Sequence, residues 1–165
     1  MGWWGTGVME GDEPMDLEYV IREALLEGVE VNECDDDSSA DEEEARLNVI
    51  VADKLKKGEY KKILADMMAG DGVFGDFDRE IAIQVLGEMI MCYGGTMSDD
   101  DKAIFRGAAE NDDWAQGDDK RHDSMLAYID RINSYAGIAL EPTSHSLLDT
   151  IFQHMVDEKN GLVNK

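Results

Sequence analysis

Three histidines, two cysteines and a large excess of carboxylates are the residues of this 165-residue chain equipped for chemistry. His122, His145 and His154 have no HxxxH or HxxE spacing that would set two zinc donors on one helix face. Cys34 and Cys92 are far apart and form no CxxC pair, so free thiols in a reducing compartment are expected. Nothing marks either thiol as a nucleophile, and no G-x-S-x-G elbow is present. The stretch DGVFGDFDRE has the look of a calcium loop, but Val73 and Gly75 stand where oxygen ligands are required. GWWGTG and GDGVFG are glycine-rich, yet neither carries the Lys-Ser/Thr of a phosphate loop or follows a predicted strand. Carboxylates are so abundant that any two could form an acid/base pair by chance. The expectation is a protein that is not an enzyme, with no metal and no cofactor.

The charge itself is then the chemistry to explain. Acidic residues number 38 against 15 basic ones, for a net charge of −23. Bare nucleic acid and anionic membranes should be repelled, and basic proteins attracted. The acids are clustered. Residues 9–44 carry sixteen acids and one base, Arg22, for −15, whereas residues 45–65 carry six bases and two acids. Residues 66–119 carry −11, and residues 120–165 carry −1. The basic run KLKKGEYKK is expected to pair with the acidic loop before it.

These residues need a scaffold. Hydrophobic spacing of three and four recurs nearly everywhere, and strict alternation almost nowhere, so the expected class is all-α. The reading is a single-domain irregular bundle of about seven helices over residues 1–165. It has an N-terminal Trp/Gly segment at 1–13 and an acidic loop at 32–41, after the first helix. A chain this long can bury roughly 70% of its unfolded surface without staples. The first helix is expected from Pro14 to Gly28, with Leu17, Val20, Ile21, Ala24 and Leu25 inward. The second should begin near Asp41 and break at Gly58, and the third carries Tyr60 to Met67. The helix from about Asp76 to Tyr93 has so wide an apolar stripe that it should be central. Ser98 and Asp101 open the next helix as a capping box, and NDDWAQGDD reads as a turn holding Trp114. A helix through Met125 and Tyr135 follows, and a last one starts at Pro142.

The opening MGWWGTGVMEGDEPMDLEY places Trp3 and Trp4 between glycines. Adjacent side chains diverge in an extended chain, so one indole should dock on the bundle and the other be more exposed. Asp12 or Asp16 is expected to hydrogen-bond the free N–H groups of the first helix. Gly2 and Thr6 match a myristoylation pattern, but two bulky indoles and strong negative charge argue against a membrane anchor. No basic n-region or apolar span is visible, which implies a cytoplasmic protein, in the host cytoplasm if phage-encoded.

Met1, Gly2, Trp4, Gly5, Gly7, Asp12 and Asp16 resemble the opening of a family of small bacterial and phage proteins that begin M-G-x-W-G-x-G. Trp114 and Arg121, ahead of the Met125–Ile129 stretch, resemble that family's W…R…L pattern. Trp3 is an additional tryptophan, and the acidic insert at 35–44 is atypical for it. The resemblance implies a small helical domain with no established activity, and by association a role in conflict between bacteria and phage.

The leading expectation is an acidic interaction protein, of the DNA-mimic, anti-defence or immunity type, that covers a basic nucleic-acid-binding surface of a host or toxin protein. Its candidate contact residues are Trp3, Trp4, Asp12, Asp16, Asp35, Asp36, Asp37, Asp41, Glu42, Glu43 and Glu44. It should bind neither nucleic acid nor membrane directly. Self-association is left open. The alternative is a small structural or assembly protein whose acidity serves solubility.

Overall fold

A computed structural model describes residues 7–141. Trp3, Trp4, His145, His154 and the helix expected from Pro142 lie outside the described residues. Among the described residues the chain is all-α, with α1 (Asp12–Leu25), α2 (Asp37–Lys56), α3 (Lys61–Ala69), a 3₁₀ turn (Gly72–Asp76), α4 (Arg79–Tyr93), α5 (Asp99–Glu110), α6 (Asp113–Gly117) and α7 (Asp119–Ser134).

The wide apolar stripe puts α4 at the centre, and every residue from Ala82 to Tyr93 is buried. Asp78 caps its start by accepting from Ile81 N at 3.0 Å. Gly94 stops it in the left-handed region with φ 74°, where a side chain would strain the backbone. Helices α1, α2, α3 and α5 pack directly on α4, and α7 packs across α5 and α6. Leu17 and Ile21 of α1 and Val51 and Leu55 of α2 are fully buried against this centre. Each such side chain contributes about 1.5–3 kcal/mol of burial. Gly87 lets α5 and α7 come close: a Cβ there would lie 2.2 Å from Tyr128 Oη and 2.9 Å from Phe105. The Tyr128 hydroxyl instead donates to the Gln84 carbonyl at 3.0 Å.

Four expectations change. Helix α1 begins at Asp12 rather than Pro14, and its N-cap is Gly11, which has no side chain to cap with. Pro14 stays within the first turn, where its missing N–H costs nothing. Helix α2 begins at Asp37, not near Asp41, because Asp36 accepts from Ser39 N at 2.7 Å and opens the helix early. The acidic loop at 32–41 therefore ends at Asp36, and the remainder of it is helical. The turn expected around Trp114 is the short helix α6, capped by Asp112 accepting from Ala115 N at 2.8 Å. The lysine run pairs with helix neighbours, Lys57–Asp53 at 2.8 Å and Lys62–Asp66 at 3.1 Å, and with Asp101 of α5, Lys61–Asp101 at 3.7 Å, rather than with the acidic stretch before it. Salt bridges between neighbours on one helix are geometrically ready at a spacing of four.

Candidate partner-binding surface

The first buried apolar residue of α2 is Leu47, ten positions into the helix. Between Asp37 and Arg46 only Glu43 is buried. The N-terminal half of α2 is thus a spur with no apolar footing of its own, and Glu43 is what holds it down. The Glu43 carboxylate accepts from Asn32 N at 2.6 Å and from Arg46 Nε and Nη2 at 2.7 Å each. Arg46 Nη2 also donates to the Glu30 carbonyl at 2.6 Å. These bonds tie the 26–36 linker to the side of α2. The Arg46 guanidinium, followed by the Asn32 N–H, holds the Glu43 carboxyl down at about 2. Next to it, Glu44 pairs with Arg22 of α1 at 2.9 Å, and the same guanidinium donates to Asn48 at 2.8 Å.

The eleven expected contact residues therefore separate. Glu43 is buried in its own hydrogen-bond set, and Glu44, part exposed, is paired with Arg22. Asp35, Asp36, Asp37, Asp41 and Glu42 are exposed on the spur. None of these five takes part in an ion pair among the described residues. Ser39 N–H bonding to Asp36 lowers that carboxyl's pKa and keeps it ionised. Asp12 and Asp16 are exposed on α1, on the face that continues through Tyr19 and Glu23. From Asp12 to Glu23 that face runs about 17 Å along the axis. Cys34 is exposed beside the spur. Its thiol pKa is raised, by desolvation first and then by Glu43, Asp36 and Asp35, which is opposite to what a nucleophile needs. Buried Cys92 is pushed up as well, by desolvation and by Glu88.

A second cluster fastens the start of the described chain. Arg121 of α7 is completely buried. Its guanidinium donates to Asp112 at 2.7 Å, to Gln84 Oε1 at 2.8 Å and to the Gly7 carbonyl at 3.2 Å. Its Cζ sits 4.5 Å from the centre of the Trp114 ring. Burial works to raise the Asp112 pKa, but hydrogen bonds from Arg121, Gln84 and Ala115 N outweigh it, and the net shift is downward. The arrangement clasps residue 7 to α4, α6 and α7. The resemblance to the family's W…R…L pattern couples Trp114 with Arg121, but the buried partners Asp112 and Gln84 were not anticipated. Their signal is weak, since Asp112 looks like one more surface acid.

No helix among the described residues is long and apolar enough to cross a membrane. No group of three or more His, Cys, Asp or Glu among them is arranged to hold a metal ion. The fold and this surface together define an acidic all-α protein with an anionic helical spur. Compared with known proteins, the chain matches no family, no curated protein and no solved structure. The likeness of its opening stands on the quoted residues alone. Of these, Gly7, Asp12 and Asp16 are among the described residues.

Proposed function

We propose that the protein is an acidic interaction protein whose α1–α2 side masks a basic, nucleic-acid-binding surface of a partner protein. The observation that carries this reading is the spur. Asp35, Asp36, Asp37, Asp41 and Glu42 are five exposed carboxylates within eight residues, and no cation of the described chain neutralises them. At helical rise this is on the order of one charge per 2–3 Å. Duplex DNA presents about one per 1.7 Å of its axis. A Lys/Arg surface built for phosphates therefore meets a similar charge density on the spur. The Asp36 cap starts the helix that carries Asp37, Asp41 and Glu42, so their backbone is folded before contact.

The test is displacement. Labelled duplex DNA is bound to a basic partner recovered by affinity capture at about 50 mM salt, and the protein is titrated in. Displacement is expected, with a steep loss of potency at about 500 mM salt. Replacing Asp35, Asp37 and Asp41 by Asn and Glu42 by Gln, with the Asp36 cap left intact, should weaken displacement at least about tenfold. Equal potency of that variant overturns the reading.

Exposed acids also occur away from the spur, among them Asp53, Asp76, Asp99, Asp123 and Asp130. This spread favours the second reading, an assembly protein whose charge serves solubility. A discrete homo-oligomer in sedimentation, of a size that ignores salt, would support it instead.

A further inference from the structure

We infer that the groove between α1 and α2 seats an amphipathic helix of the partner, apolar on one face and lined with Lys/Arg on its edges; this rests on the masking function proposed above. The groove has a volume of about 820 Å³. Half of a three-turn helical cylinder about 10 Å across fills roughly 600 Å³, so the space is large enough for one side of a helix. Val20, Val29 and Leu47 floor it. Tyr19, Val31 and Val73 line it while keeping 61%, 58% and 51% of their surface exposed, an unusual gathering on so charged a molecule.

The walls decide the sign of the occupant. Glu23 and Glu27 stand along the α1 wall, and Glu44 stands on the α2 wall. The one cation lining the groove, Arg22, is spent on Glu44 and Asn48. An apolar lane edged by Glu23 and Glu27, which take part in no ion pair among the described residues, selects a segment with apolar residues at helical spacing and cations beside that stripe. A second copy of the chain would bring another −23 to the same place and is repelled. Residues 142–165 carry three acids and two bases, so they lack the cationic edges these walls favour.

The probe is a Lys/Leu peptide of about eighteen residues with Leu at helical spacing, compared with a scrambled isomer of identical charge. Titrations would be run at about 50 mM and about 300 mM salt. The patterned peptide should bind at least about tenfold more tightly than its isomer, and the difference should persist at the higher salt. Tyr19→Ser with Val31→Ser should erase that preference. Both side chains are exposed, so circular dichroism and melting of this variant should match the parent. The spur variant should weaken both peptides and keep the preference. Equal binding of the two peptides overturns the groove and leaves masking by the spur intact. A retained peptide preference with no DNA displacement overturns the masking function and keeps the groove. A dimer dissolved by the groove variant overturns the proposal. So does a Tyr19 ring already shielded from radical labelling in the free chain, since both mean another occupant.

Discussion

Arg121 has the most to lose of any side chain in the bundle. It is fully buried, and its charge is balanced by Asp112, itself 3% exposed, within a set that includes Gln84 and the Gly7 carbonyl. Buried pairs of this kind are not reliable sources of net stability, because desolvation offsets most of the attraction. Breaking one is a different matter. Arg121→Met should destabilise by about 3–5 kcal/mol, read from urea or thermal unfolding, because Asp112 is left charged and buried without its counter-charge. Adding Asp112→Asn should recover part of that loss, since Asn still caps α6 and carries no charge. A double variant no more stable than Arg121→Met would disprove the account. Nothing at Asp112 in the sequence separates it from the exposed acid Asp113 beside it. The difference comes from the cation that α7 brings to one of them and not to the other.

At the scale of the element, α2 consists of two unlike halves. From Leu47 onward it is held by burial, and before Leu47 it depends on polar bonds centred on Glu43. The pH response follows from that. The Glu43 carboxyl titrates at about 2 in the folded chain against 4.5 for an ordinary glutamate, so its contribution is complete above pH 4.5. It is lost as pH falls from 4.5 toward 2. Amides of residues 37–46 should exchange faster over that range than those of 47–56, while α4 remains protected. Glu43→Gln should produce the same loosening at neutral pH. Uniform exchange along α2 in either experiment would contradict a polar-anchored spur. Such a segment, weakly held and strongly charged, belongs to the low-stability end of a fold, where binding elements are commonly found.

For the whole molecule, −23 on one small chain is a standing cost of self-repulsion. Raising salt from about 20 mM to about 500 mM should screen it and raise the melting temperature. Each kcal/mol relieved is worth about 2–4 °C for a chain of this size. A flat or falling melting temperature would mean that self-repulsion is not what limits the stability of this fold. The described ion pairs leave that repulsion in place, since none of the seven reaches Asp35, Asp36, Asp37, Asp41 or Glu42.

Much of this architecture was legible because it depends on neighbours in sequence. The apolar spacing of α4, the Ser98 cap accepting from Asp101 N at 3.2 Å and the break at Gly58 with φ 76° are short-range matters. They involve residues a few positions apart, where helix geometry and caps act. Even the early start of α2 is local, since Asp36 precedes Ser39 by three residues, and the loop expectation missed it only by weighing charge above capping. The fate of each acid could not be read in that way. Glu43 turns inward because the linker brings Asn32 to it, Glu44 is paired because α1 delivers Arg22, and Asp112 is buried because α7 delivers Arg121. Tyr19, Val31 and Val73 share one groove only once α1, the linker, α2 and the 3₁₀ turn have packed into one bundle. Composition and periodicity establish how many carboxylates there are and which segments coil. Which of them stay exposed is set by cations and apolar groups distant in the chain, and a Coulombic or desolvation energy depends on distances that exist only after packing.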